Sequence, residues 1–178
     1  MTKIVQFDPD IHMKDYRQMN IDYTHWMADQ FRENYNIDLF SMVGKTAHEM
    51  VDNPEGARAR FTTLKPPDGI LLIVEDDGQV AGMGAVRMLS DEAGEIKRMY
   101  NDPQYRGRGY GRLMLNKLLE VGRDLGCSSF FLNTPKFAVA AQGLYRSAGF
   151  VEQEQCAPIR SMTSPTFEPY VLYMEKKE

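Results

Sequence analysis

Apolar positions change their spacing several times along the chain, and each change predicts an element. Lys3 to Phe7 alternates weakly and reads as a short strand, broken at Asp8-Pro9. From Asp10 to about Asn34 the spacing turns helical, with Tyr16, Met19, Tyr23, Trp26 and Met27 recurring at steps of three and four. A second helix is predicted from Lys45 to about Asn53, where Asn53-Pro54 stops it. Phe61 and Leu64 offer apolar side chains to a core, and Lys65-Pro66-Pro67-Asp68-Gly69 is a loop.

Ile70 to Glu75 is a short, almost wholly apolar run, and Val80 to Met88 is its partner across the turn Asp76-Asp77-Gly78-Gln79, which makes a hairpin. Gly82 and Gly84 would weaken the second strand unless something lies close against them. After a turn at Ser90 to Gly94, Glu95 to Tyr100 alternates as a third strand. The alternation puts Ile96, Arg98 and Tyr100 on one face and Glu95, Lys97 and Met99 on the other. Gly109 to Leu125 carries an apolar stripe through Met114, Leu118, Val121 and Leu125, and Gly126 stops the helix. Ser128 to Thr134 is a strand, Phe137 to Ala148 a helix, Phe150 the start of a strand, Cys156 to Pro169 a loop, and Tyr170 to Glu175 a last strand. The order β-αα-βββ-α-β-α-β-β gives an α/β (α+β) class with a central mixed sheet flanked by helices.

Composition narrows the class. In 178 residues, 43% hydrophobic and 26% charged is the mix of a globular protein, and the length suggests one domain. No apolar run approaches the roughly 20 residues of a membrane helix, and the start has no leader-like apolar stretch. Cys127 and Cys156 lie far apart without a CxxC, and His12, His25 and His48 have no metal spacing; no metal site and a cytoplasmic setting are therefore expected. A formal charge of −4 gives no basic excess for nucleic acid.

One segment carries chemistry. Arg106-Gly107-Arg108-Gly109-Tyr110-Gly111-Arg112 follows a strand by one turn and opens the long helix. Glycines at alternate positions let the backbone approach a ligand. The first helical N–H groups have no partner in the helix and, with its dipole, form an anion site. Five basic residues and one acid between Lys97 and Arg112 set a local charge of +4 in a chain of −4. A P-loop would need GxxxxGK, and no such Lys is present. A dinucleotide loop would need GxGxxG after the first strand and an acid ending the next strand, and neither is present.

RGRGYG does match [Gln/Arg]-x-x-Gly-x-[Gly/Ala], carried by Arg106, Gly109 and Gly111. With EIKRMY before it and A-x-x-LYRSAGF at Ala141 to Phe150 after it, the stretch Ile70 to Glu175 resembles the GNAT superfamily of acetyl-CoA-dependent N-acetyltransferases. The resemblance implies one GNAT-like domain over residues 1–178. It also implies acetyl transfer from acetyl-CoA to a primary amine; a non-catalytic acyl-CoA-binding module of the same fold is the alternative.

The resemblance also implies roles. Arg106, Gly107, Arg108, Gly109, Tyr110, Gly111 and Arg112 would cradle the pyrophosphate of coenzyme A, mostly through backbone N–H. The strand before them would bulge and splay, so that Met99, Tyr100 and Asn101 pair with the pantetheine arm as an added strand would. Asn101 departs from the apolar residue usual there. The helix opened by Phe137, with Ala141, would flank the arm. A common Asn contact is replaced by Ala138, leaving Asn133 to supply it. Tyr145 would give a proton to the leaving thiolate. Glu95, eleven residues before Arg106, falls where histone-type members place a base. An alkylamine with a pKa near ~10 needs one at neutral pH. Asp91 and Glu92 are weaker candidates, and Glu95 could instead pair with Lys97 or Arg98.

The acceptor is expected to be an amine-bearing small molecule or peptide. The first helix pair and the late loop would wall its site, with Arg160 a candidate contact for an acceptor carboxylate. Tyr16, Tyr23, Trp26, Phe31 and Tyr35 divide between that wall and core packing, with core favoured. Both cysteines read as spectators. By analogy a homodimer is possible, paired through an edge near Tyr170 to Glu175.

Overall fold

The computed structural model describes residues 1–53, 64–154, 157–160 and 163–178. Phe61 and Cys156 fall outside that set. β1 (Thr2–Gln6) leads into α1 (Pro9–Tyr35), a helix of 27 residues. The Asp8 side chain accepts from Asp10 N at 2.9 Å, Pro9 sits in the first turn, and Asn36 closes the helix in the left-handed region. Two short helices follow. α2 (Leu39–Val43) is too short to show a period and was not expected; α3 (Ala47–Val51) begins at a capping box of Thr46 and Glu49, inside the predicted helix.

Seven strands form one sheet, in the order β1-β2-β3-β4-β5-β7-β6. β2 (Gly69–Asp76), β3 (Gln79–Ser90) and β4 (Ala93–Asn101) are an antiparallel meander. β4 starts two residues earlier than the sequence pattern suggests, because Ser90 and Ala93 already pair. β5 (Ser129–Pro135) runs parallel to β4, and the remaining pairs are antiparallel. β7 (Val171–Lys177) lies between β5 and β6 (Val151–Glu152). β5 pairs β7 along its whole length on one side, and on the other the two-residue β6 takes only Met174 and Glu175, so the sheet ends near this strand.

Two irregularities in β4 prepare the site. Met83 pairs with Tyr100 and Ala85 with Lys97, so β4 carries one extra residue. Arg98 sits at this bulge with φ 56. The extra residue overturns the simple alternation. Met99 joins Ile96 on the face packed by the long helix, while Arg98 reaches α1 and Tyr100 packs in the α1-side core. Glu95 therefore shares a face with Arg98 and not with Met99. The second irregularity is a split. β4 and β5 pair only from Ala93–Ser129 to Glu95–Phe131, so among the described residues the β5-side edge of β4 from Ile96 to Asn101 has no strand beside it.

α4 (Tyr110–Asp124) covers one face of the sheet. Met114, Leu115 and Leu118 are fully buried there against Val86, Ile96 and Phe130. Gly84 has to be glycine for this approach. A Cβ would stand 2.7 Å from Met114 Cγ and 2.9 Å from both Leu118 Cδ1 and Met99 Sδ. α1 covers the other face through Tyr16 and Met19, which pack with Leu64, Leu71 and Ile73. α5 (Val139–Ser147) follows β5, and α6 (Ala157–Arg160) is one turn inside the predicted late loop. No described helix is long and apolar enough to cross a membrane.

Candidate active site

The split opens into a cleft of about 1190 Å³ running from the glycine loop to the aromatic face of α1. Its cradle end is built by local conformation. Asp102, Pro103 and Tyr105 make a short 3-10 turn after β4. Gly107 and Gly109 take φ 79 and φ 83, a region that strains other residues. Gly109 is also the N-cap of α4, and no side chain of the described residues caps that helix. The N–H groups of its first turn are therefore free for an anion. Arg106 and Arg112 are exposed on the cleft wall, with the Arg106 guanidinium 5.9 Å from the centre of the Tyr100 ring.

Not every predicted loop side chain faces the cleft. Arg108 turns away: it donates to Asp76 Oδ2 at 3.0 Å and lies over the Tyr105 ring. Tyr110 is buried and donates to the same oxygen at 2.7 Å. Asn101 is wedged between two glycines. A Cβ on Gly82 would overlap its Oδ1, and one on Gly111 would lie 3.3 Å from its Nδ2. Its polar side chain thus fills a space that only hydrogen-sized neighbours leave open. Met99, Tyr100 and Asn101 all line the cleft along the unpaired edge of β4.

α5 supplies the facing wall. Gln142 is buried and holds the β5–α5 turn, donating to Pro135 O at 3.0 Å and Lys136 O at 2.8 Å. That turn presents Phe137, Ala138 and Ala141 to the cleft. Tyr145 lines it too at 6% exposure, with its ring set edge-on to Phe150 at 6.0 Å. Burial, and secondarily the Tyr23 phenol, push the Tyr145 hydroxyl well above the ordinary tyrosine value. Tyr23 is pushed up to about 12, chiefly by burial. Asn133 lines the cleft but donates to Thr163 Oγ1 at 3.1 Å, which ties it to the late loop.

The far end is charged. Glu95 is 5% exposed, and its Oε2 accepts from both Arg87 Nη2 and Lys97 Nζ. These are the partners the bulge permits: Lys97, as expected, and Arg87 across the strand pair in place of Arg98. Burial outweighs Glu95 and pushes the Lys97 ammonium down. Arg98 Nη1 donates to Asn20 Oδ1 at 3.0 Å. Holding a non-glycine residue at φ 56 costs on the order of 1–3 kcal/mol, which the surroundings of the bulge must offset. Asn20 is itself buried and fixed by its Nδ2, which donates to Tyr16 O at 2.6 Å.

Several sequence expectations separate here. Tyr23, Trp26 and Phe31 line the cleft, while Tyr16 and Tyr35 pack in cores. Thr163, Ser164 and Phe167 of the late loop form the second wall. The Arg160 side chain lies outside the described residues. Asp91 and Glu92 are exposed in a turn away from the cleft. Cys127 is buried, its thiol pushed up by desolvation, and it does not line the cleft. The described residues hold no group of three His, Cys, Asp or Glu arranged for a metal. Sequence reasoning missed Arg87, Lys97 and Arg98 as cleft residues. The available signal was Asn20, a polar residue one turn from Tyr16 on an otherwise apolar helix face.

The split sheet, with a glycine loop on an uncapped helix at one end and a buried phenol facing it, is an arrangement suited to acyl transfer. The sequence pattern of the acetyltransferase (GNAT) family matches residues 21–150, and the chain belongs to that family. An IAA acetyltransferase of Azospirillum brasilense is 32% identical over 115 residues, 64% of this chain and 71% of its own. An uncharacterised N-acetyltransferase of Escherichia coli (strain K12), YedL, is 34% identical over 110 residues, 60% of this chain and 69% of its own. The fold is shared with the PaiA N-acetyltransferase of Thermoplasma acidophilum, solved in complex with coenzyme A. That structure superposes with TM-score 0.69 at 14% identity, over 100% of this chain and 99% of the other.

Proposed function

We propose that this acyltransferase moves an acetyl group from acetyl-CoA directly to a primary amine, with both substrates in the one cleft. The observation that carries the reading is the edge of β4 from Ile96 to Asn101. Among the described residues it has no strand beside it, and it leads through the 3-10 turn and the glycine loop to the uncapped N-terminus of α4. The cradle fits a diphosphate: amide hydrogens bared at Gly107 to Gly111, with Arg106 and Arg112 supplying countercharge. The unpaired edge fits a peptide-like arm, whose amides would complete its hydrogen bonds. Ala141 and Ala138 leave room beside that arm, and neither offers it a side-chain hydrogen bond.

The cleft then places amine and thioester together, which supplies much of the acceleration. Glu95 keeps Oε2 on Arg87 and Lys97, leaving Oε1 to take the amine's proton, directly or through water. A backbone N–H near Met99 polarises the carbonyl oxygen. As the C–N bond forms and the C–S bond breaks, Tyr145 gives its proton to the departing sulfur. Burial raises that hydroxyl above the ordinary tyrosine value, so it holds its proton at neutral pH. Cys127 takes no part, and no acyl-enzyme forms.

Calorimetry and initial-rate kinetics test the reading. Acetyl-CoA should bind with heat, and NAD and ATP should not. Double-reciprocal plots over an amine library should intersect, as a ternary complex requires. Parallel lines would point to an acyl-enzyme, and binding without thiol release for any amine would leave only an acyl-CoA-binding module.

A further inference from the structure

We infer that the acceptor amine is borne on an apolar, ring-sized body, and that Trp26, Met27 and Phe137 receive that body in the uncharged wall of the cleft. The inference rests on the acetyl-transfer reading and adds the chemical class of the second substrate.

The placement of charge is the first argument. Among the described residues, the charged side chains lining the cleft are Arg87, Glu95, Lys97, Arg98, Arg106 and Arg112. All of them come from β3, β4, the glycine loop and the first turn of α4. The described residues of α1, α2, α3, the β5–α5 turn and the late loop add none. These segments are not poor in charge. Asp22 and Asp29 of α1 and Lys136 of the turn are exposed, yet all three stay off the cleft. A charged or hydroxyl-rich body set against this wall would lose its water without a partner to replace it.

What the wall offers instead is a run of rings. Tyr23 meets Tyr100 at 5.4 Å and Trp26 at 5.7 Å. Trp26 and Phe31 each meet Phe137 edge-on at 5.7 Å, and Phe31 meets Phe167 at 6.0 Å. The contacts join α1 to the β5–α5 turn and to the late loop. Phe31 is fully buried, while Trp26 and Phe137 are only partly so and line the cleft. An edge-on array of this kind packs well with one more ring. Met27 and Met50 line the same wall, and their unbranched thioether side chains adapt to the outline of an apolar guest.

Neutral polar side chains of the wall are already engaged with the protein. Thr24 Oγ1 donates to Asn20 O at 2.7 Å, Asn133 Nδ2 to Thr163 Oγ1 at 3.1 Å, and Thr163 Oγ1 to Ile159 O at 3.3 Å. A sugar or a polyamine would have to displace such bonds, whereas a ring binds by leaving water. The acceptor so described sets its amine at the split, by Glu95, and its body against the rings.

Matched acceptors on the whole wild-type chain test this by thiol release at saturating acetyl-CoA. The panel pairs 2-phenylethylamine with ethanolamine and the peptide Phe-Ala-Ala with Ser-Ala-Ala, and adds glucosamine and spermidine. The ring-bearing member of a pair should show a kcat/KM about thirtyfold above its polar partner, the size expected from burying one aromatic side chain. Whichever pair shows that gap separates a free amine from a chain terminus. Trp26 is the only tryptophan in the sequence, so its emission reports on the wall directly. With coenzyme A bound, the ring-bearing member of that pair should shift the emission saturably, and its polar partner should leave it unmoved. Trp26→Ala should cut the ring-to-polar ratio about fivefold, the worth of one aromatic contact, and Trp26→Phe should recover part of it. Stabilisation by acetyl-CoA reports whether each variant is folded; if one is not, the wild-type panel and emission still decide. Polar amines, glucosamine or spermidine used as well as the ring-bearing amines would overturn the apolar acceptor and leave acetyl transfer to amines standing. So would a ring preference with the emission unmoved, since the body would then lie elsewhere. Acetyl-CoA binding with no thiol release for any amine would remove both.

Discussion

The Tyr110 hydroxyl donates to Asp76 Oδ2 at 2.7 Å, joining the first residue of α4 to the last residue of β2. The same carboxylate accepts from Arg108 and from Thr2 Oγ1. Asp76 thus fastens Arg108 and Tyr110, on either side of Gly109, to the rim of the sheet without itself lining the cleft. These hydrogen bonds, the Tyr110 one foremost, hold the Asp76 carboxyl below its ordinary value, so the fastening persists well into acid.

Asp76→Asn should therefore loosen the cradle without touching the chemistry. We expect KM for acetyl-CoA to rise about fivefold, the effect of one weakened charge-assisted contact, with kcat within a factor of two. Steady-state kinetics with acetyl-CoA as the varied substrate gives both numbers. A fall in kcat with KM unmoved would mean that Asp76 acts on the reacting groups instead.

The conformation of the glycine loop was legible in the sequence because its determinants are local. Gly107 and Gly109 set their own dihedrals, and the Met114–Leu118 stripe sets the helix. The elements Ile70–Glu75, Gly109–Leu125 and Phe137–Ala148 were legible for the same reason. The charged end was not. Whether β4 bulges is decided by its register with β3, two strands that meet only in the folded sheet. Likewise, nothing near Asn20 in the chain announces that its partner is Arg98. The aromatic residues of α1 share one pattern, yet Tyr16 packs on Leu71 and Ile73 of β2 as core, while Trp26 reaches Phe137 of the β5–α5 turn as cleft wall.

Gly84 gives a packing prediction. A side chain there must enter space held by Met114, Leu118 and Met99. Gly84→Val should destabilise the fold by about 1–3 kcal/mol, the usual cost of overpacking a filled core. Because Met99 follows the bulge, the acetyl-CoA KM should rise with it. Denaturant unfolding and kinetics on the same preparation check the two effects together.

Glu75 shapes the response to acid. Lys3 at 2.9 Å and His12 at 3.0 Å hold its carboxyl below the ordinary glutamate value of 4.5. A carboxyl lowered in the folded state contributes stability that is complete above 4.5 and is lost as pH falls through the lowered value. Glu75→Gln should lower the melting temperature at pH 7, with the difference from wild type vanishing at the acid end. Thermal melts from pH 7 down to the acid transition show whether the two curves converge.

Glu95 has two duties in the proposed site, and substitution separates them. As the shared partner of Arg87 and Lys97 it stabilises the fold; leaving two half-buried cations without it should cost about 3 kcal/mol. As the proton acceptor it should be worth about a hundredfold in kcat. Glu95→Gln keeps the shape and loses both. A variant that melts earlier yet keeps kcat within threefold would assign Glu95 to charge balance alone and pass the proton to water.

Tyr145 is the cleaner test of the chemistry, because its hydroxyl donates no hydrogen bond to the described residues while its ring is packed against Phe150. Tyr145→Phe therefore removes one proton donor and little packing. We expect kcat to fall by about a hundredfold, with KM for acetyl-CoA and the melting temperature nearly unchanged. The pH profile carries the sign. The rate rises with pH as the amine loses its proton, and that limb should survive in the variant. Because burial holds the phenol above its ordinary value of 10, wild type should show no alkaline decline from Tyr145 below pH 10. An acetyl donor whose leaving group is more acidic than the coenzyme A thiol should narrow the gap between the two enzymes, since a stable anion needs no proton as it departs. Equal rates for wild type and variant with ordinary acetyl-CoA would remove Tyr145 from the reaction.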